Sequence, residues 1–510
     1  DARVLDVRPV EWGNGEDMPA ENTGRTKRHI QFIQSGHPVV LKVGLPWSYE
    51  DFVSKALCVQ HPLLTSALGS ADDSIKALFR VLSRSPEATI QKRRDFIGML
   101  RAWAVELAEA EDRLKQRMHP DVRKVMANKK ILVIKRLMKH VGHVDEHLVR
   151  DLAAGFKIVR ELDPCGAFPS TAPVGTSTVN DLMTVAKWAQ HAVKAHLRKM
   201  GESNKGALQK CMEEAGPEGS LKGPFTAEEV TQQLGPRWVP MPRFCVAEDR
   251  PIDDGSIFGQ NATVRVPWKL TLGGIDELAA IVVAWLRGIS DDRTLHFVLS
   301  DGTVLKGVLD QGWTLEDARD LVGRLADLKK AYRQLAQFPG HAFATVVAAW
   351  DEVSGKPVFF LPVALLFGET AAVYGFNRTS KFLNVAACRG ADLVVTAYYD
   401  DFSQVESRRL APSATTALKD LFGVLGFVLS EDAHKDKPFA DVFSPLGVEV
   451  DLSETKQGVV TVRPKRSRVD RIVATCAAIL LEGKVDLKCA RSLPGVLRFT
   501  REACFGRLGA

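Results

Sequence analysis

Two adjacent carboxylates, Asp400 and Asp401, follow two tyrosines and are the residues in this sequence whose types and spacing best fit chemistry. A β-prone apolar run leads into them from Asp392, and a short apolar–polar alternation leads out to Glu406. This pattern predicts a strand, a tight turn and a second strand, with both carboxylates at the turn. Because neighbouring carboxylates repel each other and resist burial, we expect a cation beside them. Mg²⁺, which prefers oxygen ligands and phosphate, is the natural candidate.

The alternative for the Tyr398–Asp401 string is an ordinary acidic β-turn, since aspartate is common in turns. The string alone does not separate the two interpretations. A second acid, Asp327, is predicted at the end of another strand, and an aromatic residue, Tyr332, follows it. The gap between Asp327 and Asp400 is long enough for a helix and a strand that return the chain to the same sheet.

The segments around these acids carry clear secondary-structure signals. Residues 358–361 predict a strand, and residues 368–387 predict a helix. After the acidic pair, Ser413 is predicted to be the N-cap of a helix that ends at Gly426. The apolar stripe of that helix is Leu418, Leu421, Phe422 and Leu425. With a strand at 446–450, the order predicts an α+β fold in which an antiparallel sheet carries helices on one face.

The composition is that of a soluble globular protein with 45% hydrophobic and 25% charged residues. Its 510 residues suggest two to four domains. The net charge of +6 is compatible with a polyanionic partner without requiring one. The eight cysteines form no Cys-x-x-Cys pair, which argues against a zinc site or a disulfide framework and favours reduced thiols in an intracellular protein, in the nucleus or the cytoplasm.

The sequence gives no indication of membrane insertion. The longest apolar run, 357–367, is too short to span a bilayer, and no secretory signal opens the chain. The chain begins at Asp1 rather than at a methionine, so we expect it to be part of something longer.

Two basic clusters are candidate contacts for nucleic acid. Residues 113–139 contain ten lysines and arginines against one acid, Asp121. They are interpreted equally well as a face that follows phosphates or as a solvated helix face. The second cluster, Arg463–Arg468, could hold a nucleic-acid backbone, act as a nuclear targeting signal or simply be solvated.

Five motifs in order resemble those of reverse transcriptases of the retrotransposon type, nearest to DIRS-like elements and related reverse-transcriptase-like proteins of protists. The motifs are Asp327–Tyr332, Leu365–Arg378, Tyr398–Asp401, Lys435 and Leu446–Gly447. Arg250–Asp254 with Asn261 resembles the strand of the fingers that precedes them, and Leu493–Phe499 with Phe505–Arg507 resembles a region downstream. The resemblance covers roughly residues 240–510 and is specific because the order is kept.

The resemblance implies a right-hand polymerase with fingers, palm and thumb, whose palm is an antiparallel sheet packed on helices, preceded by a mainly α-helical region. The predicted divisions are a disordered or loop-rich N-terminus, a helical region, fingers, palm, and the start of the thumb or connection, at 1–47, 48–215, 216–312, 313–455 and 456–510. The implied activity is RNA-directed DNA synthesis on an RNA or DNA template with a primer and dNTPs, with no membrane involved.

The resemblance also implies a metal site. Asp327 and Asp400 would hold two Mg²⁺ ions, with Mn²⁺ as an alternative, and Asp401 would support the pair as a third carboxylate. All three are predicted catalytic residues. One ion would activate the primer 3′-hydroxyl, and the other would neutralise charge on the triphosphate and the departing pyrophosphate.

The remaining predicted residues surround the nucleotide. Tyr332 would lie under the sugar and clash with a ribose 2′-hydroxyl, while Phe367 and Gly368 would shape the pocket for the base. Arg250 could fork onto the triphosphate, and Lys435 could donate a proton or a charge to the leaving group. The alternatives are core packing for Tyr332 and Phe367 and a surface turn with a salt bridge for Arg250.

Two departures from the family pattern support a second hypothesis, a degenerate relative that binds nucleic acid without catalysis. Leu366 stands where a proline is usual, and Glu248 and Asp249 stand where a lysine is often found. The three intact acids argue against decay. An RNA-dependent RNA polymerase ranks last, because those enzymes tend to have a glycine before the Asp pair and lack the aromatic at Tyr332.

Overall fold

The structure is a computed structural model that describes residues 5–6, 26–34, 37–45, 71–201, 206–216, 219–246, 250–432 and 436–503. Most of the predicted loop-rich stretch 1–47 lies outside the described residues, apart from three strands. Lys435, Glu248, Asp249 and Phe505–Arg507 also lie outside them. Among the described helices, none combines the length and apolar character needed to cross a membrane.

The chain is α+β, with helices alternating with several small sheets. The helices are α1 Asp72–Leu82, α2 Pro86–Glu106, α3 Ala108–Arg117, α4 Pro120–Val125, α5 Ile131–His140, α6 Leu148–Ala154, α7 Val179–Thr184, α8 Ala186–Met200, α9 Ala207–Ala215, α10 Ala227–Leu234, α11 Ile275–Arg287, α12 Leu315–Arg319, α13 Thr370–Gly390, α14 Ala411–Leu425, α15 Arg466–Glu482 and α16 Leu487–Ala503. The strands are β1 Leu5–Asp6, β2 Thr26–Gln34, β3 His37–Leu45, β4 Arg160–Glu161, β5 Ser170–Val174, β6 Leu221–Phe225, β7 Pro240–Val246, β8 Arg250–Asp253, β9 Val264–Trp268, β10 Thr294–Val298, β11 Val304–Val308, β12 Leu321–Asp327, β13 Val346–Asp351, β14 Lys356–Pro362, β15 Val395–Tyr398, β16 Asp401–Ser407, β17 Val442–Phe443, β18 Val448–Asp451, β19 Thr461–Pro464 and β20 Lys484–Val485.

A three-stranded antiparallel sheet carries the predicted acids. Its strand order is β12–β16–β15, so the strand–turn–strand prediction around Asp400 is confirmed. Side chains on one face, including Ala326 and Phe402, pack into the main hydrophobic core with α13 and α14. The predicted stripe of α14 is fully buried in that core, and Gly426 ends the helix in the left-handed conformation.

The strand predicted at 358–361 forms, but in a different sheet from the acids. It is β14, a member of the five-stranded sheet β6–β14–β13–β7–β8, in which β13 runs parallel to β7. Two 3-10 segments, Ala331–Gln334 and Pro339–Ala344, lead the chain away from the first sheet before β13 begins. The expectation that this strand belongs to the same sheet as the acids is therefore wrong.

The start of α14 also corrects the sequence analysis. The helix begins at Ala411 with Leu410 as its N-cap, so Ser413 lies inside the first turn. Pro412 stands at the N-terminal position that suits it, because the first turn needs no amide hydrogen there. The Ser413 hydroxyl instead donates to the Leu410 carbonyl and accepts a hydrogen bond from Arg93.

The N-terminal helices pack behind the sheet through buried ion pairs. Arg93, 2% exposed, donates to Glu406 of β16 at 2.5 Å. Arg80, Arg84 and Lys92 converge on Asp392, which is fully buried just before β15. These contacts tie α1 and α2 to the strands that carry the acidic turn.

The basic stretch 113–139 is divided among three helices, α3, α4 and α5. Lys129 is buried, donates to the Gly426 carbonyl at 2.7 Å and lies over the Phe427 ring. Burial, with Lys115 adding to it, lowers the pKa of Lys129 to about 8. Lys129 therefore belongs to the contact between the helical region and the sheet, and it is not available to follow phosphates.

We expect Arg378→Met to destabilise the protein by about 3–5 kcal/mol, because it would leave buried carboxylates without their cation. Arg378 is 3% exposed and forks onto Asp145 at 2.7 and 2.9 Å while also reaching Asp151 at 2.6 Å. Urea unfolding of the variant measures the loss. Arg466→Met, at an exposed arginine paired with Asp470 on one helix face, is the matched control and should change little. Equal stability of the two variants would contradict this role for Arg378.

Candidate active site at the β15–β16 turn

Strand register brings Asp327 and Asp401 together. They are direct cross-strand partners in the β12–β16 ladder, so their Cα atoms lie about 4.5–5.5 Å apart and their side chains project to the same face. The ladder continues beyond them, because the Leu328 amide donates to the Asp400 carbonyl at 3.2 Å. The Ser430 amide donates to the Asp327 carbonyl at 2.7 Å and fixes the end of β12 from its other side.

The turn that presents Asp400 is tight and constrained. Tyr399 has a φ of 54°, in the left-handed region that residues with a side chain seldom occupy. Ser380 of α13 donates from its hydroxyl to the Tyr399 carbonyl at 2.5 Å, and the Tyr398 and Tyr399 rings meet edge to face at 5.0 Å. The helix behind the sheet thus holds the peptide next to the first carboxylate.

The three acids line a cleft of about 780 Å³. Arg250 and Phe367, two further predicted residues, line the same cleft, so five of the sequence-predicted residues meet there. Arg250 is the exposed first residue of β8, and Phe367 is 37% exposed.

The cleft also contains basic residues that the sequence analysis did not assign to the site. They are Arg324, Lys330, Lys437 and Lys465. Lys465 belongs to the second basic cluster, whereas Arg463 of that cluster pairs with Glu449. Together with Arg250, these side chains give the described lining five basic groups against three carboxylates, a balance that favours a polyanion.

Tyr332 lies behind the cleft wall. It is 5% exposed, stacks on Phe376 at 4.9 Å with an interplanar angle of 24°, and lies 4.7 Å from the Phe367 ring. Burial, with Tyr399 and the Asp400 carboxylate adding to it, raises the pKa of the Tyr332 hydroxyl. Tyr332 is thus a core aromatic that supports Phe367 from behind.

Gly368 lies at a point of close approach between the Phe367 turn and β8. Its φ is 101°, and a Cβ atom added there would lie 1.8 Å from the Asp253 carbonyl oxygen. The Asn261 side-chain amide binds both ends of this turn. Its nitrogen donates to the Gly368 carbonyl at 2.9 Å, and its oxygen accepts from the Thr370 amide at 2.8 Å. The Asp253 amide donates to the Phe367 carbonyl at 3.0 Å. These bonds attach the turn to the strand that begins with Arg250.

A buried ion cluster supports this junction, and the sequence pattern gave no sign of it. Arg243 is fully buried and forks onto Asp253 at 2.7 and 2.9 Å, and it also donates to Glu214 at 2.7 Å. Arg333 donates to Glu214 at 2.8 Å and to the Leu365 carbonyl at 2.7 Å. The four residues of this ion cluster come from α9, β7, β8 and the 3-10 segment after β12. Only the tertiary fold brings them together.

The donor set fits a divalent cation that shares its ligands with a substrate. Within the described residues, no three His, Cys, Asp or Glu side chains are close enough to form a ready-made metal site. Mg²⁺ in phosphoryl-transfer sites is usually held by one or two carboxylates, waters and substrate phosphates. Asp327 and Asp401, which are partners in register, and Asp400 at the adjoining turn line one open cleft and provide oxygen ligands of that kind.

Comparison with known proteins gives matches to solved structures alone. No protein-family model and no curated protein matches the chain. Among solved structures, the chain is similar to the foamy viral protease-reverse transcriptase in complex with double-stranded DNA, at 12% identity and a TM-score of 0.38. That match covers 94% of this chain and 61% of the viral chain.

We expect Gly368→Ala to destabilise the protein by more than about 2 kcal/mol, because it adds a clash with β8 to an unfavourable φ. Gly355→Ala is the matched control, since Gly355 has a φ of 62° and open space around its added Cβ. The control should lose only about 1 kcal/mol from the φ alone. Chemical denaturation of both variants measures the difference, and equal losses would show that the close approach at Gly368 costs nothing.

Proposed function

We propose that the chain is an RNA-directed DNA polymerase, a nucleotidyltransferase that extends a primer 3′-hydroxyl with dNTPs on an RNA or DNA template. The observation that carries this proposal is the cleft itself. Three carboxylates from a hairpin and its neighbouring strand lie among five basic side chains in a space of about 780 Å³. A polyanionic template–primer would be attracted to the basic walls, and the acids would hold the cations that phosphoryl transfer requires.

In this mechanism Asp327 and Asp400 would hold the cations, and Asp401, the ladder partner of Asp327, would support them. When bound, Mg²⁺ or Mn²⁺ would activate the primer hydroxyl and neutralise charge on the triphosphate. The protein's own contribution is position and electrostatics. Arg250, at the opposite wall, would grip the triphosphate. Phe367, backed by Tyr332 and set by the Gly368 turn, would form the surface against which the sugar and base rest.

The primer-extension assay tests the proposal directly. We expect extension on an RNA template with Mg²⁺ and dNTPs. The double variant Asp400→Asn/Asp401→Asn should lose at least about a thousandfold in rate, since the cations supply several kcal/mol of charge stabilisation. Asp95→Asn, at an exposed carboxylate of α2, is the control and should keep the parent rate.

A second candidate is a catalytically degenerate protein that binds nucleic acid. Leu366, and Glu248 with Asp249, which depart from the pattern of the family that the chain resembles, favour it. It predicts salt-sensitive binding of template–primer with no extension in either the parent protein or the double variant. Extension by the parent that persists in the double variant would contradict both candidates.

A further inference from the structure

Glu369 is a buried acid directly behind the cleft wall. It is 2% exposed and stands at the N-cap of α13, between the Gly368 turn and the helix. Its Oε2 accepts a hydrogen bond from the Leu366 amide at 3.2 Å, whereas its Oε1 has no hydrogen-bond partner among the described residues. A proline at position 366 could not make that bond, because it has no amide hydrogen.

The charged groups beside Glu369, Asp253 and Arg333, are already paired with other members of the buried ion cluster. Arg243 donates hydrogen bonds to Asp253 and Glu214. Arg333 donates hydrogen bonds to Glu214 and to the Leu365 carbonyl. This cluster holds two guanidinium groups and two carboxylates, so it is neutral without Glu369. An ionised Glu369 would add a third negative charge with no cation of its own, which is costly in a dry site.

The protonation equilibrium follows from this arrangement. The pKa of Glu369 is raised from its usual 4.5 to about 8, mainly by burial and also by the Asp253 carboxylate, against the opposing effects of the Leu366 amide and Arg333. At neutral pH Glu369 is therefore mainly a neutral carboxylic acid. Its position at a helix N-terminus, which favours a negative charge, does not offset the loss of water.

We propose that Glu369 is a positioning residue whose neutral carboxylic acid closes the turn at residues 366–368, so that this turn stays against β8 and the cleft keeps its shape only while Glu369 is protonated. The consequence for catalysis rests on the proposed function, whereas the consequence for stability does not. When Glu369 ionises, the new charge beside Asp253 is relieved by movement of the turn towards water. That movement carries Phe367 away from Tyr332 and breaks the bond from the Asp253 amide.

The direction of the pH effect is fixed by linkage. Because the pKa of Glu369 is raised in the folded state, the folded protein keeps a proton that the unfolded chain releases above pH 4.5. Stability from this group is therefore present at low pH, falls as the pH rises from 4.5 to about 8, and then stays constant. Glu369→Gln, which resembles the neutral acid in shape, removes this dependence.

The first experiment compares urea unfolding of the parent protein, Glu369→Gln and Glu352→Gln between pH 5 and 9. Glu352 is an exposed glutamate between β13 and β14. The ratio of the unfolding constants of the parent and Glu369→Gln should rise by about tenfold per pH unit up to about pH 8 and then level off. The ratio for Glu352→Gln should stay flat. Parallel curves for the parent and Glu369→Gln would overturn the proposal.

The second experiment measures primer extension by the parent protein and Glu369→Gln over the same pH range. The ratio of their rates should rise about tenfold per pH unit above pH 8 in favour of Glu369→Gln, because only the parent ionises there. A constant ratio, with the stability difference present, would overturn the positioning role. No extension by either protein, with the stability difference present, would count against the proposed polymerase while leaving the buried neutral acid in place.

Discussion

The pairing register of β12 with β16 is the constraint on which the candidate site depends. It sets Asp327 opposite Asp401 and leaves Asp400 at the turn. A slip of one residue in either strand would send the carboxylate of that strand to the opposite face, where Ala326 and Phe402 now fill the core. The register is well specified because Ala326 and Phe402 both reach the hydrophobic core only in the observed pairing. The hydrophobic core of one face thus places the acids of the other.

Buried charge supports the site from behind. Arg93 with Glu406, and the three basic side chains on Asp392, bind the N-terminal helices to the strands that flank the turn. The cluster around Arg243 and Asp253 does the same for the opposite wall of the cleft. A buried pair is costly to break because each partner then loses its compensation. These buried ion pairs therefore favour a single arrangement of the elements that line the cleft.

The spacing of apolar and polar residues along the sequence predicted several individual strands and helices correctly. The acidic hairpin and the stripe of α14 follow from periodicity, and the structure contains both. β10 and β11 likewise form a hairpin around Asp301 and Gly302, a dipeptide typical of tight turns. The sequence could not show which sheet β14 joins, because a strand's periodicity does not identify its partner.

The same limit applies to side chains whose roles are set by distant neighbours. Lys129 looks like part of a basic surface and is buried on Gly426 and Phe427. Glu369 lies in the first turn of the predicted helix 368–387 and looks like an ordinary polar residue there. Its burial, and the neutral cluster that leaves it without a cation, exist only once α9, β7 and β8 have assembled. The predicted domain divisions and the role of Lys435 stay predictions.

The central claim is that Asp327 and Asp400 hold divalent cations next to a nucleotide. A crystal structure of the protein with template–primer, a non-hydrolysable dNTP and Mn²⁺ tests it most directly, because the anomalous scattering of Mn²⁺ locates the ions. The account predicts anomalous peaks bound by carboxylate oxygens of Asp327 and Asp400 and by the triphosphate. Nucleic acid in the cleft with no peak at these carboxylates would contradict it.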